Sequence, residues 1–137
     1  MKLPLEGGCV CKKIRYSCSA EPFITLNCYC RDCQYASGNG HSTIFGVPLS
    51  AVKIEGKPKY YESKSDKGNV VRRGFCAECG TPLFSSNEKF VDFIAIKAGT
   101  LDNSSWFRAN LDVWTSSAQP WDTMSPNTAK FEYEPQI

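Results

Sequence analysis

The sequence of 137 residues contains a single histidine, His41, and this scarcity limits the chemistry that it can support. A metal site built from several imidazoles is excluded, and any acid–base step has at most one imidazole to use. An excess of charge of one sign is missing too. The 16 lysines and arginines against 14 acidic residues give a net charge of +2, which is too small for a dedicated nucleic-acid binder.

Long apolar segments are also absent. No run approaches the ~18 apolar residues of a membrane span, and the opening MKLPLEGGCVC lacks the apolar core of a signal peptide. We therefore expect a cytoplasmic protein with no membrane partner. At 42% hydrophobic and 22% charged residues, the composition is that of a folded chain, and its length predicts one domain over residues 1–137.

The sequence is rich in cysteine: it has eight cysteines, and seven of them lie in three tight clusters. The clusters read Cys9-Val-Cys11, Cys28-Tyr-Cys30-Arg-Asp-Cys33 and Cys76-Ala-Glu-Cys79. The eighth, Cys18, stands alone. In a reducing compartment such clusters more often hold metal than form disulfides, although the even number leaves disulfides open as an alternative.

Between the clusters the sequence alternates in the way that strands do. Residues 90–98 form the longest such stretch, with Ile94 and Ile96 on one face and Ala95 and Lys97 on the other. Shorter alternating stretches cover residues 13–16 and 52–54. Helix is expected only for one or two turns after Cys30, ending near Gly38, and for a short segment over 103–107. Many short strands with frequent glycine turns predict a mostly β fold.

The first and last clusters predict a four-cysteine zinc site. Zinc takes four ligands in a tetrahedron, and a CxxC turn offers two thiolates at a suitable separation. Gly80, directly after the last cysteine, allows a sharp turn, and Gly7-Gly8 is expected to supply a bend before the first cluster. The ligands of this structural site would be Cys9, Cys11, Cys76 and Cys79. Such a site would tie the start of the chain to its middle.

The middle cluster offers three ligands on one loop: Cys28, Cys30 and Cys33. Three protein ligands and one open position are typical of a catalytic zinc, whereas Cys18 as a fourth ligand would make the site structural. We favour Cys18 as a packed thiol, because it shares a predicted strand face with Ile14 and Tyr16. Zinc with three thiolates carries net negative charge, so it is a poor activator of water but can ionise a thiol. This pattern favours thiol chemistry over hydrolysis.

Three stretches together carry a resemblance to a known family. They are the CxC near the start, the CxCxxC followed by Gln-Tyr-Ala-Ser-Gly, and Phe-Cys-Ala-Glu-Cys-Gly-Thr-Pro-Leu over 75–83, and the likeness extends through 98–102 and 114–121. This order resembles the glutathione-dependent formaldehyde-activating enzyme family, also called the centromere protein V or Gfa family. The resemblance implies a mostly β, Mss4-like (β-tent) fold with two zinc ions per chain.

The same resemblance implies functions for the clusters. The structural zinc would lie on Cys9, Cys11, Cys76 and Cys79, and the catalytic zinc on Cys28, Cys30 and Cys33. The implied enzyme is a carbon–sulfur lyase acting in reverse, which joins glutathione and formaldehyde into S-hydroxymethylglutathione. Two positions differ from the family pattern, because Tyr29 and Asp112 stand where members often have histidine, and Cys18 is not part of the family motif.

Several further side chains are candidates for the site. Arg31 is a candidate contact for a glutathione carboxylate, with a surface pair to Asp32 as the alternative. Of Arg72 and Arg73, at most one can face a given site, since neighbouring strand residues point to opposite faces. His41 is expected to be a solvated loop residue, with acid–base duty as the alternative.

Two other functions remain open from the sequence. One is a non-catalytic zinc module for a protein or nucleic-acid partner, against which the near-neutral charge and the lack of a basic tail argue. The other is a redox or thiol-carrier protein that uses its clustered cysteines. Zinc content separates them, because the enzyme predicts two ions per chain with the second more easily removed.

Overall fold

Eleven short strands and one α-helix make up the regular structure of residues 1–135, the part of the chain that the computed structural model describes. The last two residues of the predicted domain therefore lie outside the described part. In chain order the strands are β1 (Leu5–Gly8), β2 (Arg15–Cys18), β3 (Ile24–Cys28), β4 (Ser42–Pro48), β5 (Val52–Glu55), β6 (Lys59–Lys64), β7 (Val70–Phe75), β8 (Pro82–Asn87), β9 (Phe93–Lys97), β10 (Leu111–Val113) and β11 (Ala129–Lys130). The helix, α1, is Arg31–Ser37. The prediction of a mostly β fold is confirmed.

The strands form two sheets. The smaller has the order β1-β2-β5, and the larger has the order β11-β10-β3-β4-β9-β8-β7-β6. Pairing is antiparallel throughout both sheets, except that β10 runs parallel to β3 and to β11. No helix among the described residues is long and apolar enough to cross a membrane.

The main core lies between the two sheets. It is built from alternate residues of the large sheet, such as Phe45 and Ile96, together with Tyr16 and Cys18 of the small sheet, and all four are 2% exposed or less. The ring of Tyr16 packs edge-on against Phe84, with ring centroids 5.7 Å apart. The other face of the large sheet carries a smaller cluster around Cys28, and this second face holds the candidate site.

The helix expected after Cys30 is present. Cys30 caps its N-terminus, since its Sγ accepts a hydrogen bond from the Cys33 backbone N–H at 3.3 Å. Gly38 ends the helix in the left-handed conformation, with φ of 71°. Helix α1 therefore carries a cysteine at its cap and another in its first turn.

The helix expected over 103–107 is absent, and this prediction is wrong. Only a turn forms, in which the Phe107 N–H donates to the Ser104 carbonyl at 2.9 Å. The Asn103 side chain accepts hydrogen bonds from the backbone N–H and the hydroxyl of Ser105, at 3.1 and 2.7 Å. Such local bonds offer the backbone an alternative to helix.

The double glycine before the first cysteine cluster is strand rather than bend. Gly7 and Gly8 pair with Tyr16 and Arg15 of β2. A Cβ on Gly7 would lie 2.3 Å from both the Tyr16 hydroxyl and the Thr100 carbonyl oxygen, so glycine is needed there for close packing. The bend follows the cluster instead, at Lys12, whose φ is 67°.

Candidate active site

The first and last cysteine clusters meet in space. Strand β1 delivers the first pair and the turn after β7 delivers the second, so that the Sγ atoms of Cys9, Cys11, Cys76 and Cys79 all lie within 4.8 Å of one another. The Sγ of Cys11 lies 3.5 Å from that of Cys9 and 3.6 Å from that of Cys76. A tetrahedral zinc with bonds of 2.3 Å needs sulfurs about 3.8 Å apart. The group fits a metal ion, and its cysteines are free thiols rather than disulfides.

Local hydrogen bonds favour the thiolate form of two of these sulfurs, those of Cys9 and Cys79. The Ile14 backbone N–H donates to Cys9 Sγ at 3.3 Å, and the Thr81 hydroxyl lies 3.2 Å from Cys79 Sγ. The Thr81 side chain, helped by backbone N–H donors, lowers the pKa of Cys79 to about 5. Gly80 takes a φ of 78°, as its position after the last cysteine predicts.

The middle cluster forms a second, smaller group. Cys28 ends β3, Cys30 caps α1 and Cys33 lies in the first turn of that helix, and their Sγ atoms also lie within 4.8 Å of one another. No other histidine, cysteine or carboxylate of residues 1–135 joins them. This three-cysteine group can bind a metal ion through three protein sulfurs.

Two cationic side chains face the three-cysteine group. Hydrogen bonds from Cys28 and Cys30, with the positive charges of Lys97 and Arg73, hold the pKa of Cys33 well below its usual value. Lys97 Nζ donates to the Ser42 hydroxyl at 2.8 Å, and that hydroxyl donates to the Cys33 carbonyl at 2.8 Å. Burial lowers the pKa of Lys97 itself. These two cations make the surroundings of the group electropositive, which favours a thiolate at Cys33 and the binding of other anions.

Cys18 belongs to neither group. It is fully buried in the main core, and its Sγ donates to the Ala20 carbonyl at 3.3 Å. This placement agrees with the packed-thiol interpretation, because the alternation of β2 puts Cys18 on the buried face with Tyr16.

The three-cysteine group opens into a cavity of about 660 Å³ on the second face of the large sheet, which we call the groove. Its volume is within the usual range for small-molecule sites. The groove is lined by the three cysteines, by Phe23, Ile24, Ile44, Phe90 and Phe93, and by polar residues that include Arg31, Arg73, Ser85 and Asn87. Trp114 forms another part of the groove wall. Its φ is 57°, a backbone conformation that is rare for non-glycine residues and, when it does occur, is often found at functional sites.

The arginine pair divides between the two faces of β7, as expected. Arg73 lines the groove, and its Nη1 donates to the Ser63 hydroxyl at 3.2 Å. Arg72 instead pairs with Glu62 at 3.4 Å and lies over the Tyr60 ring at 4.2 Å. Arg73 is thus the one available to an anionic ligand.

Arg31 also lines the groove, where its guanidinium is held by neighbours on α1. Its Nη1 donates to Gln34 Oε1 at 2.5 Å, and its Cζ lies 4.8 Å from the centre of the Tyr35 ring. Its position permits the predicted contact with a ligand carboxylate.

His41 lies in a loop, as expected, but it is paired with another side chain rather than freely solvated. Its side chain is 22% exposed, and its Nδ1 lies 2.7 Å from Asp122 Oδ2. Its ring packs on that of Tyr29, with centroids 4.9 Å apart. Sequence reasoning missed this pairing because Asp122 lies 81 residues further along the chain.

The two positions that differ from the family pattern are both buried. Tyr29 is 1% exposed and Asp112 is fully buried. Asp112 accepts hydrogen bonds from the Asn27 amide at 3.0 Å and from the Thr128 hydroxyl, and Lys130 Nζ lies 3.4 Å from it. Burial, with the nearby Asp112 carboxylate, raises the pKa of Tyr29. Both side chains are held by other residues of the protein and neither belongs to a cysteine group.

Lys97 is the functional candidate that the sequence analysis did not single out. The alternating pattern already placed it on the same face as Ala95, and Ala95 lines the groove. A lysine on the same strand face as a groove residue was therefore an available signal, and the effect of its charge on the second cysteine group gives it a functional meaning.

The fold and the two cysteine groups define a class: a small β protein with two sets of thiols that can each hold a metal ion. Comparison with known proteins makes the class specific, because the profile of the glutathione-dependent formaldehyde-activating enzyme family matches residues 4–117. The chain belongs to this family.

Other comparisons are more distant. A crystal structure of a protein from Rhodobacter sphaeroides superposes with a TM-score of 0.58 over 72% of this chain and 88% of that one, at 15% identity. At that identity the match shows a shared fold alone. No curated protein sequence matches the chain.

Proposed function

We propose that this protein is a zinc-dependent enzyme that forms and cleaves the carbon–sulfur bond of an adduct between glutathione and an aldehyde. Formaldehyde is the aldehyde that the family name gives. One observation carries the proposal: the three-cysteine group lines the groove, whereas the four-cysteine group lines neither this cavity nor its neighbour. A metal site with three ligands beside a ligand-sized cavity is suited to catalysis.

The two groups would have different roles. Cys9, Cys11, Cys76 and Cys79 would hold a structural zinc that stabilises the fold. Cys28, Cys30 and Cys33 would hold the second zinc, which when bound takes a further thiolate as ligand and so keeps a thiol ionised at neutral pH. The lyase classification and the Mss4-like description of the fold are part of this proposal.

The remaining side chains would bind and orient the substrate. Glutathione carries two carboxylates, and the guanidinium of Arg73 has a planar fork that suits one of them. Arg31 is placed to contact the other from the helix side of the groove. Lys97 faces the same cysteines and would stabilise the negative charge that forms on the aldehyde oxygen as sulfur adds to the carbonyl carbon.

The experiment measures metal content and turnover together. Purified protein with two zinc ions per chain should accelerate adduct formation from glutathione and formaldehyde above the uncatalysed rate, as followed by NMR of the product. Cys33→Ser should fold, hold about one zinc ion per chain and lose this acceleration, because a serine hydroxyl is a poor zinc ligand at neutral pH. Wild-type protein without acceleration, or Cys33→Ser with full acceleration, would show that the proposal is wrong.

A further inference from the structure

The groove has exposed aromatic residues along its rim. Phe23, Phe90 and Phe93 are 50%, 50% and 42% exposed, and all three line the same cavity. The rings of Phe23 and Phe93 are in contact, with centroids 4.6 Å apart. Large apolar side chains clustered at a cavity are informative, since scattered exposed ones are ordinary.

The register of the sheet separates a polar end of the groove from an apolar end. A single row of facing residues crosses five strands in the order Arg73, Ser85, Ala95, Gly46 and Ile24. The row begins with a cation on β7, passes over small residues in the middle and ends with an apolar side chain on β3. The groove floor is therefore polar on one side and apolar on the other.

The apolar end is continuous with the three-cysteine group. Ile24 and Cys28 lie on β3 four residues apart, so they share a face and are separated by about 13 Å. Both line the groove, and Ile44 of the neighbouring strand lines it beside them. An apolar wall therefore extends for several carbon–carbon bonds away from the sulfur atoms, and the contacting rings of Phe23 and Phe93 form its far end.

We infer that the aldehyde substrate carries an extended apolar chain, which this wall binds, and that formaldehyde is the poorer substrate. The inference rests on the proposed function. In the reaction the glutathione sulfur bonds to the carbonyl carbon, the carbon–oxygen double bond becomes single, and the proton lost by the thiol returns to that oxygen. Nothing is oxidised or reduced. Formaldehyde has only hydrogens on its carbonyl carbon, so it would leave the apolar wall in contact with water.

The positive charges beside the groove indicate that the apolar chain belongs to the aldehyde rather than to the thiol. Arg73 and Lys97 line a neighbouring cavity of about 460 Å³, and Arg73 and Asp32 line both cavities. The carboxylates of glutathione suit this cationic side. The apolar side then remains for the substituent on the carbonyl carbon.

The test uses unreactive adduct analogues, so that binding is measured apart from catalysis. Zinc-loaded protein is titrated calorimetrically with S-hexylglutathione and with S-methylglutathione. We expect the hexyl compound to bind at least tenfold more tightly, since each buried CH₂ contributes about 0.8 kcal/mol. Phe93→Ser should remove most of this preference. Val91→Ser is the matched control, because Val91 is 67% exposed and does not line the groove; it should keep the preference.

Turnover gives a second readout. We expect kcat/KM with glutathione to be at least tenfold higher for hexanal than for formaldehyde, and the ratio to fall in Phe93→Ser. Equal binding of the two analogues, or a preference that survives in Phe93→Ser, would overturn the inference. Faster turnover of hexanethiol with formaldehyde than of glutathione with hexanal would also overturn it, because the apolar chain would then belong to the thiol. A wild-type dimer that Phe93→Ser dissociates would overturn it too, because the exposed phenylalanines would then be a subunit interface.

The two proposals fail in different ways. A tenfold preference for S-hexylglutathione without thiol-dependent turnover of either aldehyde would refute the proposed function and support the apolar ligand. Turnover of formaldehyde with no preference for the hexyl compound would refute the inference and support the function.

Discussion

Replacement of Cys11 by serine tests the structural metal site most sharply, because Cys11 is exposed. Without a metal, an exposed cysteine contributes little, and its loss should change stability by less than about 0.5 kcal/mol. With a metal, Cys11 is one end of a cross-link to Cys76, which lies 65 residues away. We expect Cys11→Ser to be strongly destabilised.

The magnitude follows from chain entropy. Cys9, Cys76 and Cys79 remain in this variant, so the full effect is reached when it releases the ion. Closing a loop of this length contributes about 4 kcal/mol to stability, which is a large share of the 5–15 kcal/mol typical of a whole domain. For a chain of 137 residues, such a loss corresponds to a fall in Tm of about 10–15 °C. Thermal unfolding followed by circular dichroism, with zinc content measured on the same samples, gives the result.

Cys18→Ala is the matched control. Cys18 is fully buried but belongs to neither group, so its replacement leaves a small cavity. We expect a cost of about 1 kcal/mol, a Tm lower by about 3 °C and two zinc ions still bound. The reasoning is refuted if Cys11→Ser has the same Tm as wild type and keeps both zinc ions, or if Cys18→Ala loses a zinc ion.

Two further predictions concern charge. Arg73→Gln should raise the KM for glutathione about tenfold or more, because a hydrogen bond to a charged group contributes about 1.5–3 kcal/mol. Arg72→Gln is the control: it removes a pair with Glu62 on the opposite face of β7 and should leave steady-state kinetics unchanged. Arg15 donates to Asp102 at 2.9 Å and lowers the pKa of Asp102. We therefore expect Asp102→Asn to be less stable than wild type at neutral pH by under about 1 kcal/mol. The difference should shrink as the pH falls below the usual pKa of an aspartate and close below the lowered one, as measured by denaturant titrations at a series of pH values from 7 downwards.

The parts of the fold that the sequence predicted are those set by local patterns. The alternation over residues 90–98 correctly placed Ile94 and Ile96 on the buried face of β9, because side chains in a strand alternate between faces. The strand itself begins later than predicted, at Phe93, after a 3-10 turn over Glu88–Phe90. Gly38 and Gly80 marked turns, since both take a positive φ that glycine adopts readily. Cysteine spacing indicated which thiols group together, because metal sites need ligands at short, regular separations.

The parts that were missed depend on distant contacts. Gly7 and Gly8 are in a strand because Tyr16 and Thr100 press against that backbone, which no local rule could reveal. The pairing of His41 with Asp122 and the placement of Lys97 at the second cysteine group likewise need the sheet order. The apolar end of the groove depends on the same order, since it joins strands that are far apart in the chain.

The central claim is that the three-cysteine group holds a zinc ion that takes the substrate thiol. X-ray absorption at the zinc edge measures the mean number of sulfur ligands per ion directly. With one ion on four cysteines and one on three, the account predicts a mean of about 3.5 sulfurs without substrate and about 4 after glutathione is added. A mean that does not change on addition of glutathione, at concentrations that saturate binding, would contradict it.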